Sequence, residues 1–244
     1  MLRRLKQLYG NKLTATDGEI GVVKDLYFDE RNWTVRYVVA ETGTWLTSRQ
    51  VLLSPHAFAD GQRSEKKLSV NLSRQQIAGS PALEWHQPVS RQFEEAYHRY
   101  YGWPNYWEDD CLRNFPGLET IGQAPKVAPK KTLPTGSPRE MTGAHLRSTQ
   151  AMKRYQLQAG GGIIGQVGDF LMESRSWMIQ KLVAQIGYRF CDHEIELPTT
   201  AVERIGWDSS AVFTRLTRKQ VEQSLLPHLI FNGAATAPAR VLSF

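Results

Sequence analysis

Two cysteines in 244 residues, Cys111 and Cys191, are too few for a disulfide framework and match free thiols in a reducing compartment. No apolar run reaches the roughly 18 residues that a membrane-crossing helix needs. The opening stretch, Met1 to Gly10, has charges but no apolar segment of the kind a secretory signal carries. There is no G-x-S-x-G nucleophile turn, and the six histidines show no H-E-x-x-H pairing. Basic residues exceed acidic ones, giving a formal net charge of +6 and a pI near 9.3, yet no lysine or arginine stripe follows one face. These absences describe an ordinary soluble chain, expected in the cytoplasm, with no catalytic or metal-binding residues and no cofactor.

What the chain does have is an internal repeat. Residues 18–80 superpose without a gap on residues 162–224, at a fixed offset of 144 that carries Gly18 onto Gly162. Gly21 falls on Gly165, Asp25 on Asp169 and Trp33 on Trp177. A long period present only twice is a domain duplication, because solenoid units are shorter and need several copies to bury a core. Domains of about 80 residues have modest cores and gain from docking against a neighbour.

Each copy reads as β-structure. Asp17-Gly18 and Gly161-Gly162 suit tight turns. Strands then follow at 20–28 and 33–40, and again at 163–172 and 177–184, with turns at 29–32 and 173–176. Short strands rich in β-branched and aromatic residues predict a small antiparallel barrel. The pairs Ser73/Gln76 and Thr217/Gln220 predict a capping box and a short helix closing each copy.

Between the copies, Ser90 is placed to cap a helix over 89–101 with Phe93, Ala96, Tyr97 and Tyr100 on one face. Gly102 and Pro104 stop it, and five aromatics crowd residues 100–107. Prolines, glycines and lysines mark 121–144 as a linker, and 229–244 as a mobile tail. The domains expected are a first barrel at 1–82, a helix and aromatic segment at 83–120, the linker, and a second barrel at 145–228.

The pattern Asp-Gly-x-Ile-Gly-x-Val-x-Asp, a turn, Trp-x-Val-Arg-Tyr-Val-Val, a glycine and Val-Leu-Leu-Ser-Pro resembles the PRC-barrel family, named for the cytoplasmic domain of the photosynthetic reaction-centre H subunit. Residues 1–82 fit well. Residues 145–227 fit more loosely, with Pro198 where Ser54 stands. The segment 88–107 resembles the extension after the first barrel in two-barrel bacterial members. The resemblance implies two small PRC-type barrels, each closed by a short helix, acting as a non-catalytic interaction module. The reaction-centre subunit has a membrane-spanning helix before its barrel, and the expectation for this chain is that it lacks one.

Positions kept in both copies, Gly18, Gly21, Asp25 and Trp33 with Gly162, Gly165, Asp169 and Trp177, read as structural. Diverging positions read as candidates for function: Tyr37 against Lys181, Trp45 against Arg189, Thr47 against Cys191 and Arg49 against His193. Aromatics on a loop seal the seam between the barrels or form a partner interface, since Tyr and Trp bring large area at low entropic cost. The expected interface is Tyr97, Tyr100, Tyr101, Trp103, Tyr106 and Trp107 with Tyr37, Trp45, Lys181 and Arg189. The expected partner is a protein, with a homodimer favoured. Acidic neighbours argue against stacking on single-stranded RNA, leaving nucleic acid a lesser option. The alternatives are a ribosome-associated factor, and a quinone-like ligand or electron-transfer role by likeness to the H subunit.

Two tempting motifs are weak. Gly160 to Gly165 fits G-x-G-x-x-G but runs into a strand rather than a helix, so it lacks the dinucleotide-binding context. Cys191-Asp-His-Glu-Ile-Glu places its candidate ligands on opposite faces of a strand, short of a zinc set.

Overall fold

The computed structural model describes residues 1–43, 46, 49–64, 67–81, 89–107, 146–160, 162–188, 191–217 and 220. The linker, the tail, and the side chains of Trp45 and Arg189 lie outside these. The first copy runs β1 (Leu2–Arg4), β2 (Lys12–Ala15), β3 (Gly18–Asp29), β4 (Thr34–Thr42), β5 (Gln50–Leu53), β6 (Phe58–Ser64), β7 (Lys67–Val70) and helix α1 (Arg74–Ala78), with α2 (Arg91–Tyr101) after it. The second runs β8 (Leu146–Ser148), short helix α3 (Thr149–Met152), β9 (Gln156–Gly160), β10 (Gly162–Glu173), β11 (Ile179–Tyr188), β12 (Cys191–Pro198), β13 (Val202–Gly206) and β14 (Ala211–Thr217). Among the described residues no helix is long and apolar enough to cross a membrane.

Both copies curl into sheets of one order, β5-β4-β3-β2-β7-β6 and β12-β11-β10-β9-β14-β13. Neither is wholly antiparallel, as the sequence suggested, because β2 pairs parallel with β7 and β9 parallel with β14. The cause is the Pro55–Ala57 turn and its counterpart Thr199–Ala201, which pass the chain onward without reversing it. The final hairpin therefore closes on the first strand of its path in the same direction. Ser73 and Gln76 form the expected capping box on α1, and the Thr217–Gln220 hydrogen bonds repeat it.

Each sheet takes its seventh strand from the other copy. β1 pairs antiparallel with β10, placing Leu2 opposite Glu173, Arg3 opposite Met172 and Arg4 opposite Leu171. β8 pairs with β3 in the corresponding register, Leu146 opposite Asp29, Arg147 opposite Phe28 and Ser148 opposite Tyr27. The two units are thus interlocked through these short strands.

The residues kept in both copies lie along this exchange. Asp25 Oδ1 accepts the Gln150 N–H at 3.0 Å, and Asp169 Oδ1 accepts the Lys6 N–H at 3.0 Å, the same contact made in both directions. Asp25 also accepts from the hydroxyls of Ser148 and Thr149. Each carboxylate binds the entry segment of the other copy in addition to the backbone N–H of the residue that follows it, Leu26 or Phe170. Trp33 and Trp177 adopt the left-handed region at φ 56° and 58°. Their carbonyls accept the N–H groups of Ile179 at 2.7 Å and Val35 at 2.9 Å, around a Thr34–Met178 bridge. One apolar core runs through both copies, with Phe28 and Phe170 meeting at 6.3 Å between ring centres.

Gly18 and Gly162 open β3 and β10. Gly21 and Gly165 are required by close backbone approach, since a Cβ there would lie 2.0 Å from the Glu41 carbonyl oxygen or 2.2 Å from that of Gln185. Replacing either with alanine is expected to cost about 1–3 kcal/mol or more, read from urea unfolding midpoints. Gly160→Ala, where a Cβ meets nothing within 4 Å, serves as the neutral comparison.

Candidate functional site

The helix between the copies packs on the outer face of the first sheet. Along β4, Val35, Val38 and Ala40 face the barrel core, while Tyr37 and Val39 face outward and join Leu52, Val89 and Tyr97 in a second apolar cluster. Ser90 caps α2 by accepting the Phe93 N–H, and Gly102 ends it in the left-handed conformation at φ 69°. The Tyr97 hydroxyl donates to the Leu52 carbonyl, and the Tyr100 hydroxyl to the Gln76 carbonyl at 2.9 Å, tying the helix to β5 and α1.

The helix is rolled relative to the expected face. Ala96 is exposed and Tyr100 lies at the rim against α1, while Glu94 and His98 turn inward and are 0% and 1% exposed. They go in because polar partners meet them there. The Tyr37 hydroxyl lies 3.1 Å from Glu94 Oε1 and 2.9 Å from His98 Nε2. The Tyr106 hydroxyl donates to Glu94 Oε1 at 2.5 Å, and an Arg91 nitrogen lies 3.1 Å from Glu94 Oε2.

His98 Nδ1 is 2.8 Å from the Pro104 carbonyl, which can only accept, so that nitrogen carries a proton. In the neutral ring Nε2 then accepts from Tyr37, and Tyr37 accepts from a protonated Glu94. In the charged arrangement the imidazolium donates to Tyr37, which donates to the Glu94 carboxylate. Both arrangements hold the same number of protons. Burial raises the Glu94 carboxyl above its usual range and lowers the His98 imidazole, so both shifts favour the neutral arrangement. Burial also pushes the Tyr37 and Tyr106 hydroxyls up, which keeps both as donors.

Rings extend the cluster outward. Tyr101 stacks on Trp103 at 4.3 Å, His98 meets Trp107 edge-on at 5.2 Å, and the Arg36 and Arg91 guanidinium groups lie over Tyr106 and Trp107 at 3.9 and 4.2 Å. Beside them opens a cleft of about 400 Å³ bounded by Arg36, His56 and Phe58 from the first copy, by Tyr106 from the segment between the copies, and by Arg175 and Trp177 from the second.

Of the expected interface residues, Tyr37 and Tyr97 are interior at 0% and 1% exposure and pack within the chain, not at an outer surface. The seam they seal lies between α2 and the first sheet rather than between the barrels. Tyr101, Trp103, Tyr106 and Trp107 are half-buried around it, and Tyr100 is 45% exposed. Lys181 stands apart, paired with Glu196 at 2.8 Å on the second copy. The contrast between Tyr37 and Lys181 has a local cause, since α2 covers the outer face of β4 while Lys181 remains accessible on β11. Glu94, His98, Arg36, His56 and Arg175 were not singled out from sequence. The available signal was the i, i+4 pair Glu94/His98 flanking the aromatic stripe of a short helix.

Residues 2–70 match the family model for the PRC-barrel domain. The chain therefore carries a PRC-barrel domain in its first copy; the second, which repeats the strand order, stands outside that match. A comparison with curated proteins gives no match.

Tyr37→Phe keeps the ring packing but removes the hydroxyl between Glu94 and His98, and is expected to cost about 1–2 kcal/mol in chemical unfolding. The two acid–base groups pull stability in opposite directions with pH. The lowered His98 contributes stability present above the usual histidine range and lost as pH falls through its folded value; the raised Glu94 contributes stability present at low pH and lost as pH rises through its own. Between about pH 6.5 and 4.5, the ordinary values of the two groups, Glu94→Gln should lose stability more steeply on acidification than the unmodified chain, and His98→Gln less steeply. Unfolding midpoints across that range would settle the signs.

Proposed function

We propose that the protein is a non-catalytic interaction scaffold whose interlocked barrels hold the aromatic seam around α2 in a fixed position for a protein partner, a second copy of this chain being the first candidate. The reading rests on one observation: the seam is anchored from inside by the Tyr37–Glu94–His98 network, while Tyr100 and Trp103 remain accessible at its rim. Large rings held rigidly lose little side-chain entropy on contact and are enriched among residues that dominate interfaces. The PRC-barrel domain supports the same class of function, that of an interaction or scaffold module.

Light scattering of the full chain over a range of concentrations tests this. A dimer is expected, and Tyr100→Ala with Trp103→Ala should weaken it at least tenfold, a loss of about 1.4 kcal/mol, in a variant that stays folded even though it gives up the Tyr100–Gln76 hydrogen bond and the Tyr101–Trp103 stacking. Tyr106 is left intact because its hydroxyl holds Glu94. Undiminished association in a folded double variant would refute the seam as the contact.

A further inference from the structure

The cleft beside the seam has a chemical character of its own. Its ionisable walls are basic: Arg36 and His56 come from the first copy and Arg175 from the turn between β10 and β11, and no carboxylate is among its described lining residues. The inner donors are set in place by interior groups. Asp29, 3% exposed, lies 3.7 Å from Arg36, and the Pro104 carbonyl fixes His98, which also borders the cleft. Glu94 sits behind His98 and Tyr106 and is fully buried, so neither acid presents an oxygen to the opening. Glu173, on the strand before the turn, is engaged by Ser176 at 2.7 Å. Arg175 and His56 are exposed and stand at the mouth. Phe58, Trp177, Val35 and Pro55 supply the apolar lining.

Such a lining suits a molecule with a negative head and an apolar body. A volume of about 400 Å³ falls within the size of small-molecule pockets. Guanidinium groups match phosphate and carboxylate oxygens in geometry as well as in charge. Both copies are needed to build the cleft, and α2 completes it on one side only among the described residues.

We infer that this cleft is a binding site for a small organic oxyanion, a molecule bearing a phosphate or carboxylate group, with Arg175 and His56 meeting the anion and Phe58 and Trp177 lining the space for its body. This goes beyond the scaffold reading and is independent of it, since it concerns a ligand and not an oligomeric state.

The test is titration of the full chain with inorganic phosphate and, separately, with succinate, at ionic strength held constant by sodium chloride and followed by calorimetry. Saturable binding of at least one probe is expected, and the preferred probe identifies the head group as phosphoryl or carboxylate. Arg175→Ala should weaken that binding roughly tenfold, as loss of a charge-assisted hydrogen bond does. His56→Ala should weaken it as well, whereas Lys181→Ala, which is not among the lining residues, should leave it unchanged. Both substituted side chains in the cleft are exposed, so the variants should fold, and an unchanged unfolding midpoint verifies this. Absence of saturable binding for both probes, unchanged affinity in Arg175→Ala, or an equal loss in Lys181→Ala would each overturn the assignment. None of these outcomes bears on the dimer measured by light scattering.

Discussion

The reciprocal exchange of the short strands β1 and β8 is the constraint on which this architecture depends. The long strands β3 and β10 outrun their neighbours β2 and β9, which pair only with residues 18–22 and 162–166, and the backbone donors and acceptors beyond must find partners that a small barrel has little chain to supply. Here β1 completes the second sheet and β8 completes the first, in matching registers. Because each copy gives what it receives, the same residues are needed twice. Asp25 and Asp169 accept backbone N–H groups of the other copy, and Trp33 and Trp177 hold left-handed backbone so that their carbonyls can accept across the internal dyad. The shared core, with Phe28 against Phe170, follows from that interlock.

Symmetry ends where α2 begins. The helix covers the outer face of β4, so that strand is buried on both sides, whereas Lys181 at the position matching Tyr37 stays accessible and pairs with Glu196. Covering β4 brings a carboxyl and an imidazole into the interior. Burying such groups is costly unless they are hydrogen-bonded or neutral, and the network meets both conditions: Tyr37 bridges them, Tyr106 and Pro104 take the remaining contacts, and burial shifts each group toward its uncharged form. The aromatic segment is thereby fixed at one side of the paired barrels.

Around the cleft the same interior groups have a second consequence. Asp29 and the Pro104 carbonyl orient Arg36 and His98 from behind, so a basic wall is held in place by atoms that never reach the opening. Arg175 arrives only because the interlock brings the second copy's turn against the first barrel. Pairing of the barrels, docking of α2 and construction of the cleft are successive results of one arrangement.

Much of the local structure was legible in the amino-acid order: the duplication, the long strands, the Ser73 and Ser90 caps and the helix stop at Gly102 all rest on contacts within a few residues. The structural class of Gly21 and Gly165 was legible too, although the cause, a carbonyl oxygen 2.0–2.2 Å from a would-be Cβ, belongs to a neighbouring strand. Periodicity placed an apolar face on α2 but not its roll. Whether Ala96 and Tyr100 or Glu94 and His98 turn inward depends on the Tyr37 hydroxyl, which lies 57 residues before Glu94 along the chain. The parallel closing strands, the exchange of β1 and β8 and the meeting of Arg36 with Arg175 likewise depend on segments far apart in sequence. The sequence alone determined the elements and the fact that there are two copies. Only tertiary structure decided that each copy completes the other, because the partner of a three-residue strand is chosen by which long strand has unpaired backbone beside it and not by the short strand's own residues.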